Sequence, residues 1–141
     1  MEGHVYSFEK LLVWQDARKF VAFVYAITKN FPKEELYGLT NQIRRASVSI
    51  PSNIAEGSSR SSAKDQAYFS QLSYSSLMET LNHFYIAFDL GYLSQETLDI
   101  TKDHVFKLSN MINGLRKNQI NRHQKLSKHK KTKQSTNQLN N

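Results

Sequence analysis

Cysteine is absent from this chain of 141 residues, so neither a disulfide framework nor a thiolate zinc site is available to it, and a reducing compartment is the expected setting. Proline is scarce at two residues and glycine at five, which leaves long stretches with nothing to break a helix. Long apolar runs are missing too. Nothing approaches the roughly 20 apolar residues needed to cross a bilayer, and the start MEGHVYSFEKLLVW lacks the basic, apolar and small-residue succession of a secretion signal. A soluble, cytoplasmic protein without a membrane partner is expected. Acidic residues are absent from the last 26 positions: residues 1–115 hold 11 Lys/Arg against 12 Asp/Glu, a balance of −1, whereas residues 116–141 hold 8 Lys/Arg and no acid, a balance of +8. The overall charge of +7 therefore belongs to one end of the chain.

What is present is helical periodicity. From Leu11 to Phe31 the residues Trp14, Ala17, Val21, Val24, Tyr25 and Thr28 recur at spacings of three and four, which predicts an amphipathic helix that stops near Asn30, just before Phe31-Pro32. A second helix is expected from about Glu34 to Ser58, with Leu36, Leu39, Ile43, Ala46, Ile50 and Ile54 on one side and Gly57 closing it. Ser62, with Asp65 three residues later, caps a third helix reaching Leu90. After Gly91, Ser94 caps a fourth whose seam is Leu98, Thr101, Val105, Leu108, Ile112, Leu115 and Gln119. With very short connections the expected fold is all-α, an antiparallel up-down-up-down four-helix bundle over residues 1–119. Residues 120–141 have almost no apolar side chains to offset ordering entropy and are expected to form a disordered basic tail.

The third helix carries more apolar surface than a small monomeric bundle needs. Tyr74, Leu77, Met78, Leu81, Phe84, Tyr85 and Phe88 fall on one broad side, with Phe69, Leu72, Ser76, Ala87 and Leu90 nearly opposite. A second cover for so apolar a helix comes from another subunit, so these seven residues are the expected interface of a homo-oligomer.

The second helix holds a polar row at the edge of its apolar face: Gln42, Arg45, Ser49, Asn53 and Glu56, with Pro51 pointing away from it. Pro51 removes one helical hydrogen bond, and from an outward position the freed carbonyl of Ser47 turns to water while the helix bends without ending. Arg45 near a core needs a carboxylate, and Glu79 on the third helix or Glu56 is the candidate, in a buried network completed by Asn53 and Ser49. The alternative is a catalytic acid site. An arginine partner holds a carboxylate ionised, however, and no histidine or cysteine joins the row, so the structural role is preferred. His83 and His104 lie on different helices without a metal-ligand spacing, and no phosphate-binding glycine loop or nucleophile elbow appears. No enzyme, cofactor or metal is expected.

The stretches FEKLLVWQDARKF, FPKEELYGLTNQIRRASVSIPSNIAEG, SSLMETL and LGYL together resemble the 23S rRNA intervening-sequence (S23-type) proteins over about residues 8–118. The resemblance implies an antiparallel four-helix bundle assembled as a homopentamer, in bacterial proteins some of which are encoded within insertions in the large ribosomal RNA gene. The family's signature maps here onto Gln42, Arg44, Arg45, Ser49, Asn53, Glu56, Gly57 and Glu79. One departure lies in the third helix, where Ser73-Tyr74-Ser75-Ser76 replaces a small Ala-x-Gly-Ser pattern.

Two functions follow. In the first, an oligomeric module binds RNA or DNA through Arg116, Lys117, Arg122, Lys125, Lys128, Lys130, Lys131 and Lys133, with Arg44, Arg60 and Lys64 as contacts on the body. In the second, the bundle is a scaffold for another protein and the tail is a solubilising appendage.

Overall fold

The computed structural model describes residues 3–140. Its four helices are α1 (Leu12–Thr28), α2 (Leu39–Ser58), α3 (Ala63–Asp89) and α4 (Gln95–Leu139), with single 3₁₀ turns at Ser7–Lys10 and Lys33–Glu35 and no strand among the described residues. The all-α, four-helix expectation holds.

Local chemistry sets the boundaries. The Ser62 hydroxyl accepts the amide of Asp65 at 3.1 Å and the Ser94 hydroxyl that of Thr97 at 3.1 Å, so both predicted caps form. Gly91 adopts φ +80° just past α3; its amide bonds the Phe88 carbonyl and the Tyr92 amide bonds that of Ala87, a Schellman ending that a residue with a Cβ would strain. The second helix starts later than expected. Glu34 and Glu35 belong to the isolated 3₁₀ turn, and α2 begins at Leu39, after Tyr37-Gly38. Glu35 instead works from outside, its carboxylate accepting the first α2 amide, Leu39 N–H, at 2.9 Å. Pro51 lies inside α2, which continues past it to Ser58.

The core is built from Val13, Ala17, Phe20 and Val24 of α1, Ile43, Ile50 and Ile54 of α2, Leu77, Phe84 and Ala87 of α3, and Leu98, Val105, Leu108 and Ile112 of α4. The α4 seam lies as expected, with Leu115 half-buried and Gln119 buried at its end. On α3 the inward face also includes Ser70, Ser73, Thr80 and His83. Small side chains let α2 and α3 approach closely, and their hydroxyls find partners: Ser73 Oγ donates to the Ile50 carbonyl at 2.9 Å, and the Ser49 and Ser76 hydroxyls lie 2.9 Å apart. Ser73 and Ser76 thus tie α3 to α2, whereas the exposed Ser75 bonds the Gln71 carbonyl of its own helix. Between α3 and α4, Ser70 Oγ donates to Gln119 Oε1 at 2.6 Å and Arg122 donates to Gln66 Oε1 at 2.8 Å. Between α1 and α4, Asp16 pairs with Lys107 at 3.6 Å.

The division expected at residue 119 does not appear as a break. The segment expected to be disordered continues α4 as helix to Leu139. Lys, Gln and Arg are good helix formers, and no proline or glycine follows Gly114 to interrupt them. Beyond Gln124 every described residue except Ser127 is exposed, so this part of the helix is an arm reaching past the bundle.

Candidate nucleic-acid interface

The arm begins where α4 loses its core seam. Gln119 is buried against Ser70, and Arg122, one turn later, makes the outermost side-chain hydrogen bond that joins α4 to α3. Lys117 is exposed, as are Lys125, Lys128, Lys130, Lys131 and Lys133. Arg116 is half-buried at the root and its Nε has no hydrogen-bond partner. Of the eight basic residues expected to contact nucleic acid, then, Lys117 and the five lysines of the arm are exposed, Arg122 is tied to Gln66, and Arg116 is half-buried.

The body residues behave differently. Arg44 is half-buried between α1 and α2: its Nε donates to Thr28 Oγ1 at 2.9 Å and its guanidinium lies 4.6 Å from the Tyr25 ring centre. Arg60 pairs with Glu56 at 3.0 Å and covers the Phe69 ring at 4.6 Å. Both have partners in the same chain, Arg44 half-buried and Arg60 at the surface. Lys64 is exposed in the first turn of α3, and Gln66, two residues on, carries the bond to Arg122, so Lys64 stands near the base of the arm.

The buried network expected around Arg45 does not assemble. Arg45 and Gln42 are exposed, Glu56 is engaged with Arg60, and Glu79 lies 3.4 Å from His83 Nε2. Among the described residues no ion pair joins Arg45 to either carboxylate. An exposed arginine keeps its hydration and needs no buried partner, which is why the row tolerates this arrangement. The middle of the row bonds without Arg45: Asn53 Nδ2 donates to the Ser49 carbonyl at 2.8 Å and to Ser49 Oγ at 3.0 Å, and Ser49 reaches Ser76. Arg45, Gln42, Ser49 and Glu79 instead line an open groove between α2 and α3.

The oligomer stripe expected on α3 loses two of its seven residues. Leu77 and Phe84 are each 0% exposed within a single chain and cannot meet a second one. Tyr74, Met78, Leu81 and Phe88 are half-buried against the same core, and only Tyr85 of the seven remains exposed. The reason is a rotation of α3: its core face centres on Ser73, Leu77, Thr80 and Phe84, about 70° around the helix from the centre of the aromatic stripe. A surface that the sequence reading passed over lies elsewhere. Tyr25, Leu36, Tyr37 and Val48 line a groove beside Arg44, Arg45 and Ser49, and Tyr37 is 91% exposed. Its signal was the Leu36-Tyr37-Gly38 stretch, read as helix although the glycine marks a turn.

Tyr92 has a perturbed hydroxyl. Its OH donates to Glu35 Oε1 at 3.3 Å; partial burial first, then the Glu35 charge and this bond, raise its pKa above the ordinary tyrosine value. Among the described residues no three His, Cys, Asp or Glu side chains gather as a metal site, and no helix is long and apolar enough to cross a membrane.

A four-helix, all-α domain with a cationic helical arm is therefore the class of protein in hand. Residues 9–114 match the family described as 23S rRNA-intervening sequence protein, and the chain belongs to that family. A crystal structure of a protein of unknown function from the S23 ribosomal protein family, from Bacteroides thetaiotaomicron, is similar in fold, with a TM-score of 0.67 at 17% identity, covering 75% of this chain and 99% of that one. Among curated proteins none matches the chain. The family match ends at residue 114, just before the first basic residue of the arm.

Proposed function

We propose that this chain is a non-enzymatic, oligomeric helical-bundle protein that binds nucleic acid through the C-terminal arm of α4. The observation that carries the reading is the segregation of charge: eight Lys/Arg and no acid after residue 115, with the lysines from Lys125 onward exposed on one helix. Such a segment attracts phosphate and releases its counterions. The bundle is antiparallel, up-down-up-down, in this reading, which is supported by contacts that pair Gly57 with Phe69, Ile50 with Ser73 and Ser70 with Gln119. A bacterial cytoplasm is the setting that suits the family. The test is a titration of labelled 23S rRNA fragments and control duplexes at several salt concentrations, with the full chain and with a chain cut after His123. That cut removes five lysines and spares the Arg122–Gln66 bond. Loss of binding, or a flattened salt dependence, supports the arm as the contact. Equal affinity and an equal salt slope for the two chains would reject it.

A second reading is favoured by the groove of Tyr25, Leu36, Tyr37 and Val48. Here the bundle is an interaction scaffold, and this face, in place of the α3 stripe, receives a second copy of the chain. Exposed aromatic and aliphatic residues around a partly held arginine are the composition of interface centres.

A further inference from the structure

We infer that the arm is built for one class of nucleic acid, double-helical DNA in the B form, and that it enters the major groove as a helix. This rests on the nucleic-acid reading above and narrows it.

Three features of the arm point the same way. The first is the distribution of charge around the helix. At about 100° per residue, Arg122, Lys125, Lys128, Lys130, Lys131 and Lys133 spread around the axis with no gap wider than about 100°. A helix that lies on a membrane uses a basic face against an apolar one. Cations on every side are useful where phosphates flank the helix on both sides, as they do in a groove. The apolar residues beyond Arg122 are Leu126 and Leu139, about 140° apart on the helix, so no stripe is available for a partner helix or a bilayer.

The second is shape. A helix with its side chains is about 10–12 Å across, and the B-form major groove is about 12 Å wide. From His123 to Leu139 the arm extends about 25 Å, less than one turn of duplex, so a straight helix fits before the groove curves away. Duplex RNA has a major groove too narrow and deep to be entered in this way. The bonds of Gln119 to Ser70 and of Arg122 to Gln66 fix the direction in which the arm leaves the bundle.

The third is chemistry. No Phe, Tyr or Trp follows Phe106, so apart from the imidazoles of His123 and His129 the arm lacks the aromatic platforms on which single-stranded bases stack. It does carry the exposed amides of Gln124, Gln134, Asn137 and Gln138, side chains suited to the adenine edge displayed in the major groove.

The test compares the full chain with the chain cut after His123 on three probes: a 24-base-pair DNA duplex, an RNA duplex of the same sequence, and the single RNA strand. At moderate salt the full chain should bind the DNA duplex at least tenfold more tightly than either RNA, and the cut should abolish the difference. Methylation of guanine N7, which projects into the major groove, should weaken binding to DNA, whereas a ligand filling the minor groove should leave it unchanged. Circular dichroism of the complex should retain the helical signal that the cut removes. Arm-dependent binding that favours either RNA, or that is blocked from the minor groove, would overturn this inference and leave nucleic-acid binding standing. No arm-dependent binding to any of the three would overturn both.

Discussion

Gly57 of α2 lies so close to α3 that a Cβ built on it would stand 2.7 Å from the Cβ of Phe69. No pair of real Cβ atoms sits at that separation, and the obstacle is the base of the phenylalanine, which cannot swing aside without its backbone. The glycine therefore fixes how near the two helices come. Three residues later Arg60 covers the same ring, so one small residue sets the distance and one long residue seals it.

Gly57→Ala should destabilise the fold. Within a helix alanine is preferred to glycine by about 1 kcal/mol, but overpacking a tight contact costs about 1 to 3 kcal/mol. A net loss is expected in urea unfolding, and it should shrink when Phe69→Ala is introduced in the same chain. A gain in stability from Gly57→Ala alone would mean that α2 and α3 separate freely.

Arg45→Ala should cost under about 0.5 kcal/mol, the usual effect of an exposed substitution without a partner. Read from the sequence, the same change strands a buried carboxylate and costs about 3 to 5 kcal/mol. Denaturant unfolding separates the two by a wide margin. By contrast Gln119→Ala, which removes the 2.6 Å acceptor of the buried Ser70 hydroxyl and leaves it only the Gln66 carbonyl at 3.2 Å, should cost about 1 kcal/mol.

Tyr92 supplies a pH-dependent signature. Its folded pKa is raised from the ordinary 10.0. The stability it contributes is thus fully present below pH 10 and is lost as pH climbs through the folded value. Glu35→Gln removes the neighbouring charge while keeping a hydrogen-bond acceptor, so the tyrosinate absorbance of Tyr92, isolated by difference with Tyr92→Phe, should develop at lower pH. The same variant should weaken the start of α2, because a neutral amide accepts the Leu39 amide less strongly than a carboxylate does. An unmoved titration would show that Glu35 does not raise the hydroxyl and would leave burial and the Glu34 charge as the causes.

How far the sequence reveals this molecule differs from helix to helix. The α4 seam was legible because its large residues recur at three and four without competition from the other faces. The caps at Ser62 and Ser94 were legible because each rests on one side chain and an amide three residues away. The orientation of α3 was not. Hydrophobic size pointed toward Tyr74, Tyr85 and Phe88, whereas the core took Ser73 and Thr80, since close helix approach rewards small side chains whose hydroxyls find backbone partners. The partners of Arg45 were equally hidden: a helical wheel places a side chain at an angle, but it does not say whether Glu56 meets Arg45 or turns to Arg60. The charge asymmetry that defines the arm was plain from composition. Its helicity was not, because a burial argument is silent on a helix that buries nothing.

The groove beside Arg44 gives a test of self-association that does not confuse assembly with folding. A charge placed at Leu77 or Phe84 would disrupt the core of the chain itself, so a smaller particle from such a variant would say nothing about an interface. Tyr37 is different. It is 91% exposed on the turn before α2, and its replacement should change the stability of a single chain by under about 0.5 kcal/mol. If a second copy covers this face, Tyr37 is desolvated in the assembly, and a carboxylate there would be buried without a partner. Tyr37→Asp, alone and with Val48→Asp, should therefore lower the mass seen by sedimentation while leaving the helical signal and the unfolding of the separated chain as they were. An unchanged mass in the double variant would remove the groove as the self-association face and leave it to a different protein.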